Sequence, residues 1–171
     1  MKIAYRHLLK NIKEKPQIED LSLKLFQLGH EHEIENEIFN FEFTPNRGDC
    51  LSLRGLLRDL GIFYDVTIVN DIYNEKIESF KIDFVNKMQD FCPKISFLKV
   101  EIESVPDHYT HEVEEYFNDL DVKKNNFFTD ISNYISYETG QPTHCYQESK
   151  LGDKIILDRL QANQDFNTLL N

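Results

Sequence analysis

His144 and Cys145 stand side by side and bring together an imidazole and a thiol, two groups that can pair in nucleophilic hydrolysis. Neighbouring side chains on a strand or loop diverge, so this pair does not read as an activated nucleophile. The three cysteines, Cys50, Cys92 and Cys145, are isolated and not in CxxC spacing. They suggest neither a disulfide framework nor a zinc site, and no metal is expected. A second concentration of special residues is Thr44-Pro45-Asn46-Arg47-Gly48-Asp49-Cys50-Leu51-Ser52. Pro45 fixes one φ, Gly48 permits a positive one, and Asn46, Asp49 and Ser52 can each bond local backbone, so the segment should hold a single shape. Arg47 and Asp49 can pair across that turn.

The turn joins a strand to a helix. Phe39, Phe41 and Phe43 alternate with Asn40, Glu42 and Thr44, the period of a half-buried strand. Leu53, Leu56, Leu57 and Leu60 follow at helical spacing, with Gly61 where a C′ glycine would end the helix. Upstream, Pro16 opens a helical pattern through Ile18, Leu21, Leu25 and Leu28, closed by Gly29. A short strand at Val66 to Val69 completes a first α/β unit.

Beyond the polar stretch Asn70 to Lys76 the pattern restarts, which places a domain boundary there: 1–72 and 73–171. Phe80, Ile82 and Phe84, then Leu98, Val100 and Ile102, alternate with polar residues and predict two strands with one wet face. Val113, Tyr116, Phe117 and Leu120 predict an amphipathic helix whose other face, Glu112, Glu114, Glu115 and Asp119, reads as solvated surface. Ile131, Tyr134 and Ile135 mark a helix closed by Gly140, and Lys154 to Leu157 a last strand. The fold class is α+β, since strands and helices come in mixed order rather than as regular βαβ units.

Thirteen Phe and eight Tyr in 171 residues are ample for a core, and no apolar run approaches the roughly 20 residues that span a bilayer. The expectation is a cytoplasmic protein with no membrane partner. The net charge is −11 with no basic stripe to balance it, so long-range repulsion opposes nucleic-acid binding by this chain alone.

Several separated segments resemble one family. Thr44-Pro45-Asn46-Arg47-Gly48-Asp49-Cys50-Leu51-Ser52 is similar to a signature of the bacterial phenylalanyl-tRNA synthetase β subunit, and Asp130-Ile131-Ser132-Asn133-Tyr134 with Gly140-Gln141-Pro142-Thr143-His144 resembles its DVTNY and GQPxH motifs. Cys92-Pro93-Lys94 resembles the family's CPR turn, and Lys154 to Arg159 its GGIVVR strand. The resemblance implies a small N-terminal α/β domain followed by part of a B3/B4-type editing domain, which hydrolyses Tyr wrongly esterified to the phenylalanine tRNA. It carries over His144 as the residue that positions water or the terminal ribose. Lys123, Asn133, Gln141 and Thr143 follow as binding residues for the tRNA end, with Lys123 standing where the family has an Arg. Pro45, Asn46, Arg47 and Asp49 become structural residues of the turn.

Two departures shape the expectation. Only Glu31 to Glu37 stand where the family inserts an oligonucleotide-binding-fold domain, and the sequence stops at Asn171, before the acidic residue that recognises the tyrosine hydroxyl. The resemblance thus implies a fragment, poor at editing by itself, whose partners are the α subunit and tRNA in the full-length protein. ATP and Mg belong to the α subunit and no cofactor to this chain. Uncovered strand edges imply a non-native homodimer. The alternative is a self-standing module, either a trans-editing hydrolase or a non-catalytic binding protein.

Overall fold

The computed structural model describes residues 1–68 and 76–160, which divide between two compact units. The first unit comprises Met1–Tyr73 together with Val105–Cys145, and the second Asn74–Ser104 with Tyr146–Asn171. The first crossing lies between Tyr73 and Asn74. The segment from Val105 to Cys145, however, clusters with the N-terminal residues rather than with its own half of the sequence.

In the first unit, β1 (Lys2–Ala4) runs into α1 (Tyr5–Asn11), and α2 (Ile18–Gln27) precedes the hairpin of β2 (Glu31–Glu35) and β3 (Ile38–Glu42). The sheet is antiparallel in the order β1-β3-β2, with Ile3 opposite Phe39 and Ile34 opposite Phe39 from the other side. Alternation along β3 is as expected: Phe39 and Phe41 are buried while Asn40 and Glu42 face water. The hairpin turns on Asn36 and Glu37, both at positive φ (50° and 63°), as a two-residue primed turn requires. This tight turn occupies the place where the family resemblance would put an inserted domain.

Helix α2 ends as its glycine predicts, with Gly29 at φ 81°. Helix α3 (Leu53–Leu60) ends differently: Gly61 takes φ −59° and ψ −10°, so its freedom to adopt a left-handed conformation is unused. Val66 makes an isolated antiparallel bridge to Ile12 in place of the expected strand, and Val69 lies outside the described residues.

Helices α4 (His111–Asp119) and α5 (Phe127–Thr139) add Val113, Tyr116, Phe117, Leu120 and Tyr137 to the same apolar core that holds Ile3, Leu8, Leu21, Leu25, Phe39 and Leu56. The acidic face of α4 is therefore not simply solvated. Glu115 pairs with Lys10, and Asp119 with Arg6, across to α1, leaving those carboxylates only 14% and 9% exposed. Glu114 pairs with Lys124, and Glu112 alone of the four stays fully at the surface. The sequence pattern located a polar face correctly, but α1 turns a basic face toward it.

The second unit is built on a parallel pair, β4 (Phe84–Asn86) and β5 (Ile155–Leu157), in the register Phe84 with Ile155. The expected strand over 80–84 begins only at Phe84, and 98–102 forms no strand, with Leu98 and Val100 about two-thirds exposed. Alternation gives a segment two faces, but a strand also needs a neighbour to satisfy its backbone groups. None is supplied to 98–102 among the described residues. No helix among them is long and apolar enough to cross a membrane.

Candidate functional site

The corner between β3 and α3 is held by charge as well as by turn geometry. Arg47 N–H closes a turn on Thr44 O at 2.9 Å, Gly48–Cys50 makes one 3-10 turn, and the Ser52 side chain caps α3 by accepting from Gly55 N at 3.0 Å. Pro45 and Asn46 sit at the exposed tip. Gly48 does not use a positive φ, contrary to expectation; open space surrounds the place of its missing Cβ. Arg47 donates from Nε and Nη2 to the two carboxylate oxygens of Asp49, each at 3.1 Å, so the predicted pair is bidentate.

Behind that pair lies a residue the sequence reading missed. Asp59, on α3, takes Nε2 of fully buried His30 at 3.0 Å, Arg58 at 3.0 Å and a bond from Arg47, with the Cys50 thiol at 3.5 Å. Burial alone would raise its carboxyl, but the bonds from Arg47, Arg58, His30 and Cys50 outweigh it and hold the pKa at about 2. Burial beside that carboxylate pushes the Cys50 thiol up to about 12, so it is a neutral packing group rather than a nucleophile. His30, Cys50 and Asp59 present ligand atoms within 4.8 Å of one another, a donor set a metal could use. The Arg47 guanidinium already stands there as the cation, 2.7 Å from Cys50 Sγ and bonded to Asp59.

Helix α5 carries the second motif. Asp130 is buried near its N-terminus and accepts from Asn125 N at 2.9 Å and from the Tyr109 hydroxyl at 2.8 Å, while Asn126 caps the helix through Thr129 N. At the other end Gly140 takes φ 75°. The chain then doubles back along the helix: Ser136 Oγ donates to Gln141 O at 3.2 Å, and Ser132 Oγ lies 3.8 Å from Cys145 Sγ. This return brings Gln141, Thr143 and His144 alongside the helix that bears Asn133. His144, Gln141 and Asn133 are exposed and Thr143 is half-buried, its hydroxyl enclosed without a hydrogen-bond partner. Lys123 is exposed too, but it precedes the opposite end of α5, about 20 Å of helix away from Gly140. The structure does not bring it to the Gly140 turn.

The two motifs, ninety residues apart in sequence, touch. A Cβ on Gly140 would lie 3.2 Å from Ser52 Cβ and 3.6 Å from Leu51 O, and Arg54 donates to Glu138 at 2.9 Å. The contact joins the start of α3 to the end of α5. The same unit holds a buried imidazole the sequence reading also missed. His7 Nδ1 is 2.7 Å from the Tyr137 hydroxyl and Nε2 is 2.8 Å from Asp119 Oδ2. Burial, with Lys10 and Arg6 nearby, holds its pKa down at about 4. The one signal in the sequence was that basic Arg6 and Lys10 flank it one helical turn apart. The second unit has an open cleft of about 460 Å³ lined by Met88, Phe91, Cys92, Leu157, Asp158 and Arg159, and no residue singled out above for binding or catalysis lines it.

The second motif lies within a segment of defined class: residues 112–171 match the B3/4 domain. Over most of its length the chain is also similar to bacterial phenylalanine-tRNA ligase beta subunits. It is 31% identical to that of Rickettsia bellii over 134 residues, which is 74% of this chain and 15% of the relative. With the Psychrobacter arcticus and Lactococcus lactis subunits it shares 29% and 28% identity over 150 residues each, 81% and 80% of this chain and 18% of each relative. The chain is thus similar to phenylalanine-tRNA ligase beta subunits, and it spans under a fifth of the length of these relatives. No solved structure matches it.

Proposed function

We propose that the chain supplies the N-terminal part of a phenylalanine-tRNA ligase beta subunit and the first portion of its editing site, where Tyr mischarged on the phenylalanine tRNA is hydrolysed. The observation that carries this reading is the exposed His144 loop, laid along α5 inside the segment that matches the B3/4 domain. Ester hydrolysis asks for a placed water, a side-chain pocket and donors for the developing oxyanion. His144 serves the first need, orienting water or the terminal ribose. Gln141 and Thr143 on the same loop, with Asn133 on the helix, hold the tRNA end. Such a site is needed because an apolar pocket selecting Phe rejects an added hydroxyl by only about 10². Lys123, as it stands in this fold, contributes charge rather than a contact near Gly140.

The partners are the alpha subunit and tRNA, with ATP and Mg handled by the alpha subunit and no cofactor held by this chain. With a net charge of −11, most tRNA affinity comes from elsewhere in the assembly, in the cytoplasm. Alone, the chain edits poorly. In isolation it also pairs with itself through the edges of the two-stranded β4–β5 sheet, which carry no further strand among the described residues, and light scattering over a concentration series would register this as a dimer. The test of function measures Tyr release from mischarged tRNA by the chain alone and by an assembly with the alpha subunit that includes it. Turnover by the assembly that falls at least about tenfold in His144→Ala supports the reading. Full activity in that variant, or activity of the isolated chain matching the assembly, counts against it.

A further inference from the structure

The corner ends at Ser52 against Gly140, where the His144 loop begins, with consequences for both. Gly140 is constrained twice: its φ of 75° suits only glycine comfortably, and its α-carbon rests on Ser52 so closely that a Cβ would press on the Ser52 side chain at 3.2 Å and 3.3 Å. Ser52 cannot yield easily, since it is 2% exposed and its hydroxyl caps α3 through Gly55 N. Two residues further along α3, Arg54 reaches Glu138, two residues before Gly140 on α5. The far end of α5 is fixed independently by Asp130, which accepts from Asn125 N and the Tyr109 hydroxyl.

From these contacts we infer that the N-terminus of α3 is a positioning element for the His144 loop, with Ser52 as its seat and Arg54 as its clamp. The loop leaves Gly140 from a fixed point and is held against α5 at Ser136 and Ser132, so the place of His144 is set by where Gly140 sits. A displacement of about 1 Å at a reacting group can cost roughly 10² in rate, so a seat of this kind matters to a hydrolytic loop. The inference deepens the editing reading and rests on it for its functional meaning, although the coupling itself is a property of the fold. Neither Ser52 nor Arg54 touches the reacting atoms; both act through Gly140.

Cys145 reports on the loop without any need for activity. It is exposed at the loop's end, whereas Cys50 is fully buried, so in a Cys92→Ser background Cys145 is the thiol that reacts with a disulfide reagent. Arg54→Ala and Ser52→Ala are each expected to change the Cys145 reaction rate at least about threefold, because thiol reactivity follows exposure and surroundings. Arg54→Lys, which keeps a cation for Glu138, should return the rate toward that of the parent. Circular dichroism confirms that each variant is folded, and Arg54→Lys remains informative if an alanine variant is not. Rates that stay at the parental value in folded Arg54→Ala and Ser52→Ala overturn the inference. In the alpha-subunit assembly, the same variants are expected to lower kcat for Tyr release more than they raise KM. A shifted Cys145 rate with no Tyr release by the assembly would leave the positioning intact and sink the editing reading. An unchanged rate would sink the positioning whatever the assembly does.

Discussion

Replacing Gly55 by alanine should destabilise the protein, although helix propensity alone predicts the reverse. Gly55 lies inside α3, where an exchange of glycine for alanine ordinarily gains about 1 kcal/mol. Here the added Cβ would lie 2.1 Å from the carbonyl oxygen of Asp49, and 3.0 Å from both Cys50 Cα and Ser52 Oγ, where ordinary contact begins at 3.4 Å. The crowding atom at 2.1 Å belongs to backbone in a turn pinned by Arg47 and Arg58, so relief requires the turn to retreat by more than an ångström. Overpacking of this kind costs about 1–3 kcal/mol, and the longer hydrogen bond from Gly55 N to Ser52 adds part of a cap, about 1 kcal/mol. Against the propensity gain the net loss is about 1–3 kcal/mol. Urea unfolding followed by far-ultraviolet circular dichroism reads this directly as a lower midpoint at unchanged slope. A Gly55→Ala protein as stable as the parent, or more so, would refute the claim that the corner packs directly on α3.

Two further predictions concern titration and charge. Asp59→Asn should cost about 2–3 kcal/mol at pH 7, since the carboxyl is held from 3.8 down to about 2 and its loss leaves Arg47 without its counter-charge and buried His30 without its carboxylate partner. Because the folded pKa lies below the unfolded one, the parent's advantage is complete above about pH 4 and disappears as pH falls through about 2, and a gap in Tm that stays constant across that range would contradict the assignment. His7, with its folded pKa at about 4 and an ordinary value of 6.5, is neutral in the fold at pH 7. The unfolded chain therefore binds more protons between these values, and stability due to His7 declines as pH drops from 6.5 toward 4. His7→Asn should flatten the Tm profile over that window, and an unchanged slope would show that the Asp119 carboxylate at 2.8 Å keeps the imidazole charged instead.

Periodicity carried the local elements well wherever both the pattern and its pairing partner were close in sequence. The period-2 run of Phe39 and Phe41 became β3, and the leucines of α2 and α3 and the apolar stripe of α4 became buried faces, because each pattern is enforced by the repeat of its own backbone. The same logic failed at 98–102, where alternation was present but the neighbouring strand was not, and at Val66, which found only a single bridge to Ile12. Pairing is a long-range event that a local pattern cannot report.

What the sequence determined by itself was the identity of the two motifs, the αL ends at Gly29 and Gly140, and the bidentate Arg47–Asp49 pair, all of which depend on residues within a few positions of one another. Tertiary structure decided the rest. It brought Val105–Cys145 back to the N-terminal unit, buried half of an acidic face against α1, and made Asp59 the common partner of His30, Arg47 and Arg58. Above all it set Gly140 on Ser52, so that a corner and a loop ninety residues apart share one contact. Charge and packing complementarity across such separations follow from where the whole core places each helix, and no spacing along the chain encodes that placement.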